Sequence, residues 1–200
     1  GIDTTTVVTN GSIAMQLAMR ALDLLEGEVI TTPFSWVANC NAIQWERCQP
    51  VFVDVDPESF NINPDKIEAA ITKKTRAILG VHVFSCPCDV ERIDAIASSH
   101  NLKVIYDGAH AFGVKHNKKS IFSWGDISTT SFHATKLFNT GEGGAVFTSE
   151  SLKERIKSLR FFGIDSKNNI TDIGCNAKMT EIHAALGLCN LPYVTSVITF

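Results

Sequence analysis

Apolar and polar positions along this chain alternate between two periods. Short β-branched and apolar runs predict strands, and apolar residues at every third or fourth position predict helices. The predicted strands cover residues 6–9, 29–31, 51–53, 77–84, 103–107, 127–133 and 145–148. The predicted helices cover residues 12–25, 36–46, 64–71, 89–99, 150–161 and 180–189. Strands that alternate with helices predict one three-layer α/β/α domain with a mostly parallel sheet.

Composition places this chain among ordinary globular proteins. It has 200 residues, 44% of them hydrophobic and 20% charged, with a formal net charge of −3. There is no Lys/Arg-rich stripe, so we expect no nucleic acid or anionic membrane as a partner. No apolar stretch approaches the roughly 20 residues that span a bilayer, so we expect no membrane segment.

The six cysteines of the chain bear on whether the protein acts in a reducing or an oxidising compartment. Cys86 and Cys88 lie close to His82 and could bind a metal, but their spacing is too tight for a usual zinc site. Free thiols in a reducing cytoplasm are the favoured interpretation, and we expect no metal.

Polar residues follow several of the predicted strands. Ligands collect at the carboxyl edge of a parallel sheet, where strands end and helices begin. Asn10, Gly11 and Ser12 join the first strand to the first helix, and the free N–H groups of such a turn can bind phosphate. The alternative is an ordinary helix cap, since Asn and Ser both cap well.

Asp107 and Lys136 form the most informative pair in the sequence. Asp107 ends the strand-like run 103–107, and Lys136 follows the run 127–133 in a glycine-rich setting. A lysine amine can condense with the aldehyde of pyridoxal 5′-phosphate (PLP), and a carboxylate can keep the pyridine nitrogen protonated. As alternatives, Asp107 could cap the turn at Gly108, and Lys136 could be a solvated surface lysine.

Further candidates lie beside this pair. Ser131 could bind the phosphate, and His110 could face the same cavity or pack within its own loop. Trp36 could stack on a planar ring, although the residue alone favours a core aromatic at a strand–helix junction. The segment 141–144, GEGG, lacks the Gly-Lys-Ser/Thr of a P-loop and indicates a close approach of the backbone instead.

Taken together, these segments resemble the DegT/DnrJ/EryC1/StrS family of sugar aminotransferases. The resemblance runs in order through TNGS, TTPFSWVANCNAI, PVFVDVDPESFNINPDKIEAAI, VHVFSCPCDVERIDAIA, VIYDGAHAFG, SFHATKLFNTGEGGAVFTS and NAKMTEIHAALG. It implies PLP fold type I, the aspartate aminotransferase-like fold.

The resemblance also implies residue roles at the cofactor ring. Lys136 would bind the cofactor covalently and then move the substrate proton. Asp107 would pair with the pyridine nitrogen, and Trp36 would stack on the ring. His110 stands where family members place a Gln or His near the ring hydroxyl.

At the phosphate, the resemblance implies contacts from two subunits. Gly11, Ser12 and Ser131 would bind the phosphate within one chain. Asn176 matches an asparagine that reaches the phosphate of the neighbouring subunit. A homodimer with shared active sites is therefore implied.

The implied reaction moves an amino group from glutamate to a nucleotide-linked keto-sugar. The segment SFHATKLFNTGEGG is most similar to members acting on dTDP-4-keto-6-deoxyhexoses for O-antigen and other surface glycans. One alternative is sugar dehydration within the same family, where histidine replaces the lysine that is present here as Lys136. Another is a catalytically inactive PLP-fold binding protein. An NAD-linked oxidoreductase needs a G-x-G-x-x-G motif that the first predicted turn lacks.

Domain organisation follows from the same resemblance. Family members have roughly twice this length, which is a whole-domain difference. Residues 1–200 would be the PLP-binding large domain, without the N-terminal helices and the small C-terminal domain of family members.

Overall fold

A seven-stranded sheet forms the centre of the protein, with strand order β1-β9-β8-β5-β4-β2-β3. The computed structural model describes residues 2 and 4–199. Its strands are β1 (Thr5–Val8), β2 (Gly27–Thr31), β3 (Cys48–Phe52), β4 (Thr75–Val81), β5 (Lys103–Asp107), β6 (Lys115–His116), β7 (Lys119–Ser120), β8 (Ile127–Ser131) and β9 (Gly144–Thr148). Strands β6 and β7 form a separate hairpin.

Helices cover the sheet. They are α1 (Gly11–Ala21), α2 (Val37–Trp45), α3 (Pro64–Ile67), α4 (Val90–His100), α5 (Glu150–Leu159), α6 (Glu181–Asn190) and α7 (Val194–Thr199). One buried cluster combines α1, α2 and α5 with one face of the sheet, and a second combines α3 and α4 with the other face. Neighbouring strand residues such as Ile78 and Leu79 divide between the two clusters, as the two-residue period of a strand requires. The three-layer α/β/α prediction is therefore confirmed.

Strand directions decide which loops meet at one edge of the sheet. Strands β2, β3, β4, β5 and β8 are parallel, and β9 alone runs antiparallel to its neighbours β1 and β8. The carboxyl ends of β1, β5 and β8 therefore lie at the same edge as Gly144, the first residue of β9. The prediction of a mostly parallel sheet is confirmed, and the reversed β9 is a feature that it did not include.

Several predicted elements are longer than the observed ones, and three of them extend furthest beyond the observed ends. The helix predicted over 12–25 ends at Ala21, because Asp23 adopts a positive φ of 56°. The helix predicted over 64–71 is one α-helical turn followed by a 3-10 turn at Glu68–Ala70. The strand predicted over 77–84 ends at Val81, since the chain turns sharply beyond His82.

Helices α6 and α7 correct the expectation about apolar stretches. Together with the 3-10 turn between them they form a helical stretch, Glu181–Thr199, of 19 residues with mean hydropathy 1.3. By length and composition alone this stretch could cross a bilayer, which is weak evidence for a membrane segment. Its Gly187 lies against Thr140 and its Ile198 lies against Gly113, so parts of it pack on the domain.

His82 makes the stability of the fold depend on pH. Its fully buried ring stacks on Tyr106 with centroids 4.8 Å apart, and its Nδ1 accepts the N–H of Cys88. Burial lowers the pKa of the His82 imidazole from its usual value near 6.5 to about 4, and nearby His116 adds to the shift. The unfolded chain takes up a proton on this ring below pH 6.5, whereas the folded chain does so only near pH 4.

We therefore expect the free energy of unfolding to fall between pH 6.5 and pH 4, with up to about 3 kcal/mol contributed by His82. Urea unfolding at a series of pH values checks this expectation. His82→Asn keeps an acceptor for the Cys88 N–H, so it should flatten the dependence although it destabilises the core. His100→Asn, on the exposed end of α4, is the matched control. An unchanged slope in His82→Asn would contradict the assignment.

Candidate active site

The turn between β1 and α1 presents free backbone donors. Asn10 caps α1, because its side-chain oxygen accepts the N–H of Ile13 at 2.9 Å. Among the described residues, the N–H groups of Gly11 and Ser12 have no hydrogen-bond partner. The helix-cap interpretation is confirmed, and the cap still leaves two N–H groups that an anion could accept at the positive end of the helix.

Glycines keep this turn narrow. A Cβ at Gly11 would lie 2.8 Å from the Cβ of Ser131, and a Cβ at Gly144 would lie 2.6 Å from the backbone carbon of Asn10. Both distances are shorter than side chains tolerate, so strands β8 and β9 approach the turn only because these residues are glycine. The close backbone approach predicted for the GEGG segment is confirmed at Gly144.

Asp107, the last residue of β5, is partly buried at the same edge. Its Oδ1 accepts the N–H of Ala109 at 2.9 Å, and its backbone carbonyl accepts the N–H of His82 at 3.0 Å. No hydrogen bond reaches Oδ2 from the residues that the structure describes. The turn-capping interpretation is confirmed, and one carboxylate oxygen remains open to a further donor.

Lys136 lies in the loop between β8 and β9. Backbone hydrogen bonds close this loop, from Phe132 N–H to the Gly143 carbonyl at 2.8 Å and from Thr140 N–H to the Phe132 carbonyl at 2.9 Å. Phe132 and Phe138 are buried on either side of the lysine, which is itself partly buried. Within residues 2 and 4–199 its amine has no hydrogen bond or ion pair. The loop therefore holds an unpaired amine on an anchored backbone.

The charges of Lys136 and Asp107 both affect the pKa of His110. Desolvation of its ring and the nearby charge of Lys136 lower the pKa of the His110 imidazole, while the carboxylate of Asp107 opposes the shift. His110 is therefore mainly neutral at pH 7. Its ring is also stacked on Phe84, with centroids 5.9 Å apart and planes 2° from parallel.

Two other candidates have exposed side chains. Trp36 is the N-cap residue of α2 and is 77% exposed, so the core-aromatic interpretation is wrong. Asn176 is exposed, and its side-chain oxygen accepts the Lys178 amine at 2.7 Å. In the described part of the chain, no hydrogen bond, ion pair or ring contact joins either side chain to the other predicted site residues.

Sequence reasoning missed Phe84 and Ser85. Both adopt positive φ values, 47° and 70°, and the Ser85 hydroxyl donates to the carbonyl of His110. The apolar run before them predicted a continuing strand. A left-handed turn of two non-glycine residues leaves no mark in an apolar pattern, although Pro87 shortly after them signals that a strand ends.

Comparison with known proteins decides the family. The family model of the DegT/DnrJ/EryC1/StrS aminotransferases matches residues 1–199. This chain belongs to that family. The sequence resemblance is thereby confirmed, and the DegT/DnrJ/EryC1/StrS family depends on PLP as its cofactor.

Individual DegT/DnrJ/EryC1/StrS relatives agree over nearly the whole chain. A Shigella dysenteriae protein named dTDP-4-amino-4,6-dideoxy-D-glucose transaminase is 47% identical over 97% of this chain and 53% of its own length. The crystal structure of DesI with its TDP-sugar product has a TM-score of 0.92 and 37% identity, over 98% of this chain and 50% of its own. NtdA from Bacillus subtilis, solved with bound PMP, has a TM-score of 0.89 and 33% identity, over 96% of this chain and 44% of its own. The chain spans about half the length of these relatives.

The residues at the sheet edge fit this cofactor. The phosphate needs donors, which the N–H groups of Gly11 and Ser12 and the hydroxyl of Ser131 provide. The protonated pyridine nitrogen needs an acceptor, and Oδ2 of Asp107 is open. The aldehyde needs an amine without a competing partner, which Lys136 supplies. The residues at this edge therefore match the phosphate, the pyridine nitrogen and the aldehyde of PLP.

Proposed function

We propose that residues 1–200 form the PLP-binding large domain of an aminotransferase. The enzyme moves an amino group from glutamate to a nucleotide-linked keto-sugar, a dTDP-4-keto-6-deoxyhexose, for surface-glycan biosynthesis. One observation carries the proposal: Lys136 and Asp107 lie at the same sheet edge as the open N–H groups of α1. The names of the relatives support the sugar-nucleotide class of substrate.

Lys136 and Asp107 carry the chemistry in this proposal. Bound PLP supplies an electron sink for the carbon that loses its proton. The Lys136 amine would hold the cofactor, and its Nζ would take the substrate proton and return it. The open Oδ2 of Asp107 would accept the N–H of the protonated pyridine ring and so favour that protonated form.

The remaining candidates position the cofactor. Gly11, Ser12 and Ser131 would bind the phosphate through backbone N–H groups and a hydroxyl. The exposed indole of Trp36 would stack on the ring. His110, largely neutral at pH 7, would offer a ring nitrogen to the cofactor hydroxyl.

Asn176 supports a dimeric enzyme in this proposal. Its side chain is exposed, which leaves it accessible to a neighbouring subunit and to the phosphate bound there. We therefore propose a homodimer with shared active sites, the commonest symmetry of soluble oligomers. The six free cysteines of this chain suit an enzyme that acts in a reducing cytoplasm.

The test follows the two half-reactions on the full-length protein. PLP is added first, and glutamate should then replace the visible band of lysine-bound PLP with the spectrum of PMP while 2-oxoglutarate is released. Addition of dTDP-4-keto-6-deoxyglucose should restore the first spectrum, and mass spectrometry should show an amino-sugar nucleotide.

Each failure has a distinct meaning. A band of lysine-bound PLP that glutamate leaves unchanged would contradict glutamate-dependent transamination. The catalytically inactive PLP-fold binding protein would then be the remaining interpretation. A sugar that loses a hydroxyl group without gaining nitrogen would indicate the dehydratase reaction instead.

Gly11→Ala should weaken cofactor binding without unfolding the domain. The new Cβ would lie 2.8 Å from the Cβ of Ser131 and would displace the serine hydroxyl from the phosphate. We expect the dissociation constant for PLP to rise about tenfold, or about 1.4 kcal/mol, in an absorbance titration. Gln16→Ala on the same helix is the matched control. Equal PLP affinities in Gly11→Ala and the wild type would exclude the phosphate assignment of this turn.

A further inference from the structure

Three phenylalanine rings extend the site from His110 towards solvent. Phe84 lies on His110, Phe34 lies edge-on to Phe84 at 6.3 Å, and Phe60 lies 5.6 Å from Phe34. We name Phe34, Phe60 and Phe84 the aromatic wall. Its members are 44%, 44% and 71% exposed, although such rings usually gain stability by burial.

Two residues of the aromatic wall have strained backbone conformations. Phe60 and Phe84 both adopt positive φ values, 60° and 47°, which strain the backbone of a bulky residue. Strain of this kind persists where the surrounding structure holds it, and it clusters at ligand-binding segments. Two strained aromatic residues that contact the same ring, Phe34, therefore need support from the surrounding structure.

Asn61 supports the backbone beside both strained residues. It is 2% exposed, and its side chain joins the loop that carries Phe60 to the turn that carries Phe84. Its amide nitrogen donates to the carbonyls of Cys86 and Pro87 at 3.1 and 2.9 Å, and its oxygen accepts the N–H of Val83 at 2.8 Å. The rings are therefore held in place by a satisfied buried amide and are not loose surface residues.

The position of Phe84 limits which part of a substrate reaches it. Its ring contacts His110, which senses the charges of both Lys136 and Asp107. In a nucleotide sugar, the hexose carries the keto group that must reach these residues, so the hexose and not the base lies against Phe84. A phenyl ring has no hydrogen-bond donor or acceptor, so a hydroxyl facing it is left without a partner.

We propose that the aromatic wall contacts the methyl end of a 6-deoxyhexose and selects it against a hexose with a 6-hydroxyl group. The inference rests on the proposed function and adds the residues that set its sugar specificity. Phe84 makes the contact next to the reacting groups. Phe34 supports its edge, and Asn61 is a positioning residue that acts through Phe60 and Phe84.

The test measures binding, not turnover. Full-length holoenzyme is titrated by calorimetry with dTDP-6-deoxy-D-glucose and with dTDP-D-glucose, neither of which has a keto group. The wild type should prefer the deoxy sugar by about tenfold to a hundredfold, the range in which an apolar pocket discriminates against an added hydroxyl. Phe84→Ser should bring the ratio close to one, and Phe84→Leu should keep most of the preference because it stays apolar.

Controls separate the possible outcomes. Trp45→Ala removes an aromatic residue that is 55% exposed at the far end of α2, and it should leave the ratio unchanged. A wild-type ratio near one, or an unchanged ratio in Phe84→Ser, would overturn the inference and leave the proposed function standing. Phe84→Ser that dissociates the oligomer and keeps the ratio would also overturn it, as the wall would then be a subunit contact. A wild type that binds neither sugar nucleotide would remove the proposed function itself.

Discussion

Lys136→Ala should lose the covalent cofactor and nearly all activity. Lys136 is the single lysine of the loop 132–143, and we expect no other amine to replace its Nζ as a nucleophile or as a proton carrier. We expect the visible band of lysine-bound PLP to be absent and the glutamate half-reaction to slow on the order of 10⁴-fold. Absorbance spectra and single-turnover kinetics of the full-length protein measure both effects.

Two controls separate chemistry from charge and folding in this variant. Lys136→Arg keeps a positive charge but cannot supply a neutral amine, so it should be as inactive as Lys136→Ala. Lys74→Ala removes an exposed lysine at the opposite edge of the sheet and should behave like the wild type. Added methylamine should restore part of the activity of Lys136→Ala only. A variant without Lys136 that retains the band would exclude this lysine as the attachment point.

Much of the fold was predictable because burial on two sides leaves a clear pattern. The apolar run that ends at Asp107 is buried in the centre of the sheet, where almost every position must be hydrophobic. Helix α1 begins where Asn10 and Gly11 predict it, since the cap is a local interaction between neighbouring residues. Elements fixed by local chemistry or by continuous burial can therefore be predicted from the sequence.

Features set by long-range packing were not predictable. The reversed direction of β9 depends on pairing with β1, more than 130 residues away in the chain, and its apolar pattern is the same in either direction. The end of β4 was misplaced because Val83 is buried and apolar like a strand residue, while the Phe84–Ser85 turn is stabilised by Asn61 and His110 from other loops. Contacts of this kind leave no periodic signal.

The candidate site likewise has some residues that the sequence predicts and others that only long-range packing determines. Asp107 and Lys136 were predicted because strand ends at one edge of a parallel sheet meet, whatever the details of the loops. Trp36 could not be classified from sequence, because the same residue at a strand–helix junction can be buried or exposed, and only packing around α2 leaves it in solvent. The aromatic wall was missed for a related reason, since exposed and core phenylalanines are identical in a sequence.

Asp107→Asn should retain the cofactor but lose most of the rate. The new amide oxygen can still accept the Ala109 N–H, so the turn after β5 is preserved. The amide presents a donor or a neutral oxygen to the pyridine nitrogen and no longer favours its protonated form. We expect kcat for the glutamate half-reaction to fall about 10²- to 10³-fold, the usual loss when a preorganised charge partner is removed, with little change in KM.

The carboxylate of Asp107 also affects His110, and this gives Asp107→Asn a second readout. The charge of Asp107 raises the pKa of the His110 imidazole against burial and Lys136, so its removal should lower that pKa further in an NMR titration. Asp126→Asn is the matched control, because Asp126 also accepts a backbone N–H, from Val104 at 2.8 Å, but at the opposite sheet edge. A general loss of folding would slow both variants, whereas loss of the pyridine partner slows only Asp107→Asn. Full activity in Asp107→Asn would mean that another group keeps the ring protonated, and the pairing of Asp107 with the cofactor would have to be abandoned.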